Sequence, residues 1–181
     1  MAASIEHHQL PLPRVAGARL LIVVAPYYKQ ITDALTAGAR RAIAEAGAEA
    51  ELIEVPGALE VPTAIALAAA RGLCDGYVAL GCVIRGETTH YDTVCNDSSR
   101  AITLLGLQGH CIGNGILTVE NYPQAEVRAE VAGQNKGGGA AAAALHLIAL
   151  KRQWETRPAR EAAAKPDLIR LAGELEGPRG A

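Results

Sequence analysis

Residues 85–94 (RGETTHYDTV) carry most of the side chains that could do chemistry. The backbone N–H groups of residues 86–89, which lead into a predicted helix, suit an anion such as phosphate, and Thr88 adds a hydroxyl. A histidine titrates close to neutral pH, so His90 could transfer protons without a metal. The alternative is that His90 only caps the helix or lies exposed, as a lone loop histidine usually does.

Two other segments offer groups that bind small molecules. Tyr27 and Tyr28 could stack on a flat heterocycle. Alternatively, one ring plugs the core and the other covers it, because aromatic side chains usually pack. Glu60 at a predicted helix start could accept hydrogen bonds from substrate hydroxyls, or it could only stabilise the helix dipole. The sequence leaves both pairs of alternatives open.

Two cations are candidate anion ligands. Arg128 lies four residues after Gln124, on the same face of a predicted helix, and a guanidinium suits bidentate contact with phosphate. A solvated surface arginine is the default interpretation. Lys136, between Asn135 and three glycines, is either a loop cation or an anion ligand.

Strand and helix patterns alternate along the chain. Short apolar runs predict strands at residues 18–25, 50–55, 77–84 and 110–119, the last made irregular by residues 113–115. Helical spacing predicts helices at residues 30–47, from the PGALEVP segment to Arg71, and at 91–107, 124–132 and 140–154. Strands separated by helix-length segments pair in parallel. The predicted fold class is therefore α/β: a three-layer αβα sandwich with a flavodoxin-like four-stranded parallel sheet, whose carboxyl edge collects the candidate residues.

The length of 181 residues favours one domain. We predict a flexible amino-terminal arm at residues 1–14, a single domain at 15–156, and a charged tail containing Ala and Pro at 157–181. The formal net charge of −2 gives no indication of a nucleic-acid partner or an anionic membrane surface.

The four cysteines show neither CxxC pairing nor a nearby ligand-spaced histidine, so no metal site is predicted. Cys82 and Cys111 lie in apolar runs and are predicted to be buried. We expect no signal peptide and no membrane span. Reduced thiols in the cytoplasm are the simplest setting.

The loops, in this order, resemble the lumazine synthase family. The matching strings are VPGALEVP, LGCVIRGETTHYD, GILTVEN, QAEVRA and NKG. The resemblance implies the penultimate step of riboflavin synthesis, which joins a ribitylamino-pyrimidinedione to 3,4-dihydroxy-2-butanone 4-phosphate. The product is 6,7-dimethyl-8-ribityllumazine, and phosphate and water are released. No cofactor is implied.

The resemblance also implies roles for individual residues. His90 would be the general acid and base. Glu87, Thr88 and Arg128 would bind phosphate. The further substrate-binding residues would be Tyr27, Ala58, Leu59, Glu60, Val83, Ile84, Asn114 and Lys136, of which Lys136 would lie near the phosphate-binding Arg128.

In this family the site lies between subunits of a ring pentamer, and the Asn114 and Arg128 side comes from the neighbour. The implied partners are therefore the two small-molecule substrates, further copies of the chain in a homopentamer or its multiples, and riboflavin synthase. Two positions depart from the family pattern: Tyr28 stands where Asn is usual, and Asn114 where many members place a Phe. Losing one stacking face weakens binding by about 1 kcal/mol.

Other function classes are kept open beside the enzyme. A non-catalytic paralogue that binds flavin or lumazine would fit the two departures. A flavodoxin-like electron carrier would bind FMN tightly, and the aromatic content of 3% disfavours it. A shell protein would form large particles without turnover.

Overall fold

The predicted alternation of strands and helices is present in the structure, a computed structural model that describes residues 10–158. The strands are β1 (Arg19–Val24), β2 (Glu49–Glu54), β3 (Gly76–Ile84) and β4 (Cys111–Val119). The helices are α1 (Lys29–Glu45), α2 (Glu60–Ala70), α3 (His90–Leu107), α4 (Tyr122–Ala129) and α5 (Lys136–Glu155). The four strands pair in parallel in the order β2-β1-β3-β4. This confirms the α/β fold class and the flavodoxin-like sheet.

Alternate residues of β1 face opposite helical layers. Leu20 and Ile22 join the hydrophobic cluster that α1, α4 and α5 form on one face of the sheet. Leu21 and Val23 join a second cluster with residues of α2 and α3 on the other face. Because successive side chains of a strand point to opposite faces, a strand buried between two layers must be apolar throughout. The continuous apolar run of β1 is the consequence.

Helix α5 begins at Lys136, four residues before the predicted start at position 140. Lys136 is therefore the first residue of a helix and not a loop cation. The side chain of Asn135 caps the helix by accepting a hydrogen bond from the N–H of Gly138, at 3.1 Å. A side-chain Cβ at Gly137 would overlap the backbone of Leu35 in α1. Glycine disfavours helices by itself, but here it allows α5 and α1 to approach closely.

Strand β4 is continuous, contrary to the interruption predicted at residues 113–115. Each of its nine residues has a partner in β3, from Cys111 opposite Gly76 to Val119 opposite Ile84. A Cβ at Gly113 would overlap the carbonyl group of Ala140 in α5. The glycines thus mark where α5 lies close against the strand and not where the strand breaks.

The proposed arm and tail fall mostly on residues 1–9 and 159–181, which lie outside the described residues. The domain bounds stay a prediction. Within positions 10–14, Leu12 packs against the cluster around α1 and α5. No helix between residues 10 and 158 is long and apolar enough to span a membrane.

We expect Gly137→Ala to lower the free energy of unfolding by about 1–3 kcal/mol, because the new methyl group would have to displace the backbone of α1. Gly139→Ala is the matched control. Gly139 lies in the same helical turn, is exposed, and has open space where its Cβ would lie. That change should stabilise by up to about 1 kcal/mol. Urea unfolding at equal protein concentration measures both, and equal effects would contradict the packing argument.

Candidate active site

A cleft of about 560 Å³ opens at the carboxyl edge of the sheet. Strand β1 ends at Val24, which pairs with Leu80, and the N–H of Ala25 still donates to the carbonyl of Leu80 at 2.9 Å. Strand β3 continues to Ile84, paired with β4 throughout. Because β3 extends beyond the end of β1, Cys82, Val83 and Ile84 form part of the cleft wall. The loops after β1, β2 and β3 supply the remainder.

Eight of the predicted site residues line this cleft. They come from the ends of three strands and the first turns of two helices: Tyr27, Ala58, Leu59, Glu60, Val83, Ile84, Thr88 and His90. The sheet therefore brings together residues as far apart in the sequence as Tyr27 and His90, which are 63 positions apart.

The two tyrosines have different surroundings. Tyr27 is 77% exposed, whereas Tyr28 is half-buried and packs against the cluster around α1 and α5. Their rings meet edge to face, with centroids 5.0 Å apart, and Tyr122 contacts the other side of Tyr28 at 6.4 Å. Burial raises the pKa of Tyr28, so its hydroxyl stays protonated. Tyr27 thus offers the free ring, and Tyr28 supports it.

Helix ends differ between the cleft and the rest of the described chain. Helices α1, α2 and α3 begin at the cleft, at Tyr28, Leu59 and Thr89, and none of these residues caps its helix with a side-chain hydrogen bond. Helices α4 and α5 begin elsewhere and are capped by Asn121 and Asn135. Uncapped N–H groups and the positive helix dipole favour oxygen-rich or anionic ligands. The cleft is therefore suited to hydroxyl and phosphate groups.

The loop at residues 86–89 is the strongest candidate for anion binding. Within the described chain, its backbone N–H groups make no hydrogen bond to protein acceptors. Each of these residues is exposed, and Gly86 and Thr88 line the cleft. His90 follows as the first residue of α3 and also lines the cleft. A histidine side chain thus lies next to a set of backbone N–H groups without protein acceptors in the described chain.

Glu60 is the first residue of α2 and lines the cleft. A Cβ at Gly57 would lie 2.9 Å from Glu60 Oε2, so the carboxylate folds over this glycine. The backbone N–H of Glu60 donates to the carbonyl of Gly57 at 3.1 Å. Both roles considered for Glu60 are therefore compatible with its position, because it lies in the first helical turn and at the cleft wall.

Four predicted site residues do not line the cleft of their own chain within residues 10–158: Glu87, Asn114, Arg128 and Lys136. Asn114 lies in the middle of β4, opposite Ala79, and its Oδ1 accepts a hydrogen bond from the N–H of Ile116. Arg128 Nη1 donates to the carbonyl of Gln124 at 2.9 Å. One chain by itself therefore assembles only part of the predicted constellation.

A family model and several known proteins that are similar to this chain carry the same description. The family model described as 6,7-dimethyl-8-ribityllumazine synthase matches residues 17–152. The chain belongs to this family. A 6,7-dimethyl-8-ribityllumazine synthase of Jannaschia sp. (strain CCS1) is 60% identical over 136 residues, covering 75% of this chain and 76% of that protein.

Other relatives carry the same name. The protein of Methylorubrum populi is 55% identical over 155 residues, covering 82% of this chain and 92% of the relative. The protein of Novosphingobium aromaticivorans is 56% identical over 137 residues, covering 76% and 99%. The match extends from the start of β1 into α5, so it includes each of the cleft loops.

In this member of the lumazine synthase family, the cleft has lining residues that the sequence had not indicated. Tyr91 and Val94 project into it from the first turn of α3. Val94 lies four positions after His90 and three after Tyr91, so it neighbours both on the surface of the helix. The helical pattern would have indicated them if His90 had been taken as a helical residue.

Cys82 also lines the cleft, but it is only 6% exposed, and Cys111 is 5% exposed. The predicted burial of both cysteines is confirmed. Burial raises the pKa of the Cys82 thiol to about 11. The thiol is therefore protonated at neutral pH and is a poor nucleophile. Among the described residues, no cluster of three or more His, Cys, Asp or Glu could hold a metal ion.

We expect iodoacetamide to alkylate Cys82 about 100-fold more slowly in the native protein than in the denatured protein at pH 8, because the native pKa of about 11 lies about two units above the ordinary value of 9.0. The native rate should rise with pH until about pH 11. Peptide mass spectrometry measures both rates, and the denatured protein is the control. Equal rates would show that the thiol is not desolvated.

Proposed function

We propose that the chain catalyses the condensation of a ribitylamino-pyrimidinedione with 3,4-dihydroxy-2-butanone 4-phosphate to give 6,7-dimethyl-8-ribityllumazine, phosphate and water. The observation that carries this proposal is the family match across residues 17–152, which includes the cleft with its uncapped helix ends. In this reaction the amine attacks the ketone to give a Schiff base and water. Phosphate is then eliminated, and closure of the ring onto the remaining carbonyl group releases a second water.

The pyrimidine and its ribityl chain would occupy the part of the cleft between the first two loops. The exposed ring of Tyr27 is available for stacking. Val83 and Ile84 provide an apolar border beside it. The backbone of Ala58 and Leu59 and the carboxylate of Glu60 lie at the start of α2, where they would bind the ribityl hydroxyls. A polyol matches this mixture of donors and one acceptor.

The phosphorylated ketone would bind at the loop after β3. Its phosphate would accept hydrogen bonds from the free N–H groups at Glu87 and Thr88 and from the Thr88 hydroxyl. His90, one turn further on, would act as general acid and base, because each step from Schiff base to ring closure moves a proton. The buried, protonated Cys82 has no role in these transfers.

The remaining groups would come from a neighbouring copy of the chain. We propose a homopentamer or a multiple of it, in which Asn114, Arg128 and Lys136 complete the cleft of the adjacent subunit. The described face beside β4 supports this, because a groove of about 910 Å³ there contains Asn114 and the exposed side chains of Leu107 and Trp154. Exposed apolar patches of this kind favour protein contact.

Two further assignments stay predictions. Riboflavin synthase is a candidate partner because it would consume the lumazine product. A cytoplasmic location rests on the reduced cysteines.

The decisive experiment incubates the purified protein with both substrates and follows lumazine fluorescence and phosphate release together. We expect equal amounts of both products at a rate well above the spontaneous condensation. A rate equal to the spontaneous one would instead favour a non-catalytic protein that binds lumazine or flavin.

We expect His90→Ala to slow turnover by roughly 10²–10⁴-fold, as for loss of a general acid and base. The measurement is the enzymatic rate after subtraction of the spontaneous reaction. His146→Ala is the matched control, because His146 lies on α5 and lines neither the cleft nor the groove beside β4. An unaltered rate in His90→Ala would remove His90 from the mechanism.

We expect Arg128→Ala to weaken binding of the phosphorylated ketone by roughly 1.5–3 kcal/mol, because a charge-assisted contact is lost. Binding of the pyrimidine should change less. Arg40→Ala, at an exposed position of α1, is the control. Steady-state kinetics with each substrate varied in turn separates the two effects. An unchanged KM for the ketone would refute the phosphate role.

A further inference from the structure

Arg85 makes four contacts at the entrance of the loop after β3. Its backbone N–H donates to the carbonyl of Val119 at 3.0 Å. Its Nε donates to Glu120 Oε2 at 2.8 Å, and its Nη1 lies 3.5 Å from Asp92 Oδ1. Its Cζ lies 4.1 Å from the ring centroid of Tyr91. A single side chain thus contacts the end of β4 and the first turn of α3.

These contacts hold both ends of the loop at residues 86–89. Arg85 itself precedes the loop, and Tyr91 and Asp92 follow it in α3. Within the described chain, the loop residues between them make no backbone hydrogen bond of their own as donors. The position of the N–H groups in the loop therefore depends on the contacts of Arg85 that hold the two ends of the loop.

The Arg85–Glu120 pair contributes little to stability, since the two side chains are 42% and 56% exposed. The Arg85–Glu120 pair instead fixes the orientation of the guanidinium. The planar guanidinium presents several donors in a fixed arrangement while its face lies against an aromatic ring. A side chain held from two sides in this way restricts the loop to which it belongs.

We propose that Arg85 is a positioning residue that presets the loop at residues 86–89 for the phosphate group of the four-carbon ketone. This inference rests on the proposed function, because it assigns the loop to that substrate. Arg85 touches neither substrate and acts through the loop backbone. Glu120, at the end of β4, is its main partner.

The same pair links the loop to the helix that carries Arg128. The N–H of Glu120 donates to Gln124 Oε1 at 3.0 Å, and the carbonyl of Gln124 accepts from Arg128 Nη1 at 2.9 Å. One continuous set of hydrogen bonds therefore extends from Arg85 to Arg128. In the proposed ring, these hydrogen bonds would connect the loop at residues 86–89 in the cleft of one subunit with Arg128, which would complete the cleft of the adjacent subunit.

The test compares the two substrates in Arg85→Met, which keeps an unbranched side-chain stem and removes the guanidinium. We expect the KM for the phosphorylated ketone to rise roughly tenfold, because misplaced donors bind phosphate less well. The KM for the pyrimidine should stay within about twofold, because Tyr27 and Glu60 lie on other loops and Val83 and Ile84 are held by their pairing with β4. Arg85→Lys should recover part of the loss, since an ammonium group can still pair with Glu120.

Arg19→Met is the matched control, because Arg19 forms an exposed pair with Glu51 at 3.1 Å, and Arg19 lies at the start of β1, away from the cleft. This control should change neither KM. The inference is overturned if Arg85→Met behaves like Arg19→Met, or if it raises both KM values equally. If Arg85→Met does not fold, Glu120→Gln decides, and an unchanged ketone KM overturns the inference. An inactive wild-type protein would instead refute the proposed function.

Discussion

The parallel pairing of β1 and β3 is the constraint on which the cleft depends. β1 pairs with β3 only as far as Leu80, whereas β4 accompanies β3 to Ile84. Gly81 still lies beside Ala25, but residues 82–84 of β3 have β4 on one side and line the cleft on the other. The N–H of Ala25 donates to the carbonyl of Leu80 at 2.9 Å, directly after the last residue of β1. Backbone hydrogen bonding thus creates the cleft before any side chain is considered.

The same geometry gives the cleft its electrostatic character. Parallel strands require crossover helices, and each crossover helix begins at the carboxyl edge of the sheet. The first turns of α1, α2 and α3 consequently point toward the cleft, where their N–H groups are not satisfied by side-chain caps. A site for hydroxyl and phosphate groups follows from the fold and requires few charged residues. This explains how a chain with a net charge of −2 offers an anion site.

On the sheet face covered by α1, α4 and α5, close helix packing positions Lys136 and Arg128. Gly113 and Gly137 let α5 approach β4 and α1, and this approach determines where Lys136 begins its helix. Arg128 lies on the short helix α4 between these elements. The described chain therefore carries two sets of polar residues on different surfaces, and in the proposed ring each cleft would combine one set with the other set from its neighbour.

The sequence by itself determined the order of the elements, their parallel pairing and the loops that carry the chemistry. Local patterns suffice for these features, because apolar periodicity and the residues at helix ends act over a few positions. The strings around Glu60 and His90 also identified the family. The bounds of α5 and the continuity of β4 were wrong, because local propensity indicates that glycines interrupt an element, whereas here they allow contact with distant backbone.

Only the tertiary structure decided which of the two cleft tyrosines keeps an exposed ring, how Glu60 lies over Gly57, and which residues contact Arg85. Tyr27 and Tyr28 are indistinguishable in sequence, and their roles differ because only Tyr28 meets the core and Tyr122. Arg85 meets Glu120 across 35 positions of chain. Such contacts depend on the register of β3 against β4, which arises from the pairing of whole strands and cannot be read from any single segment.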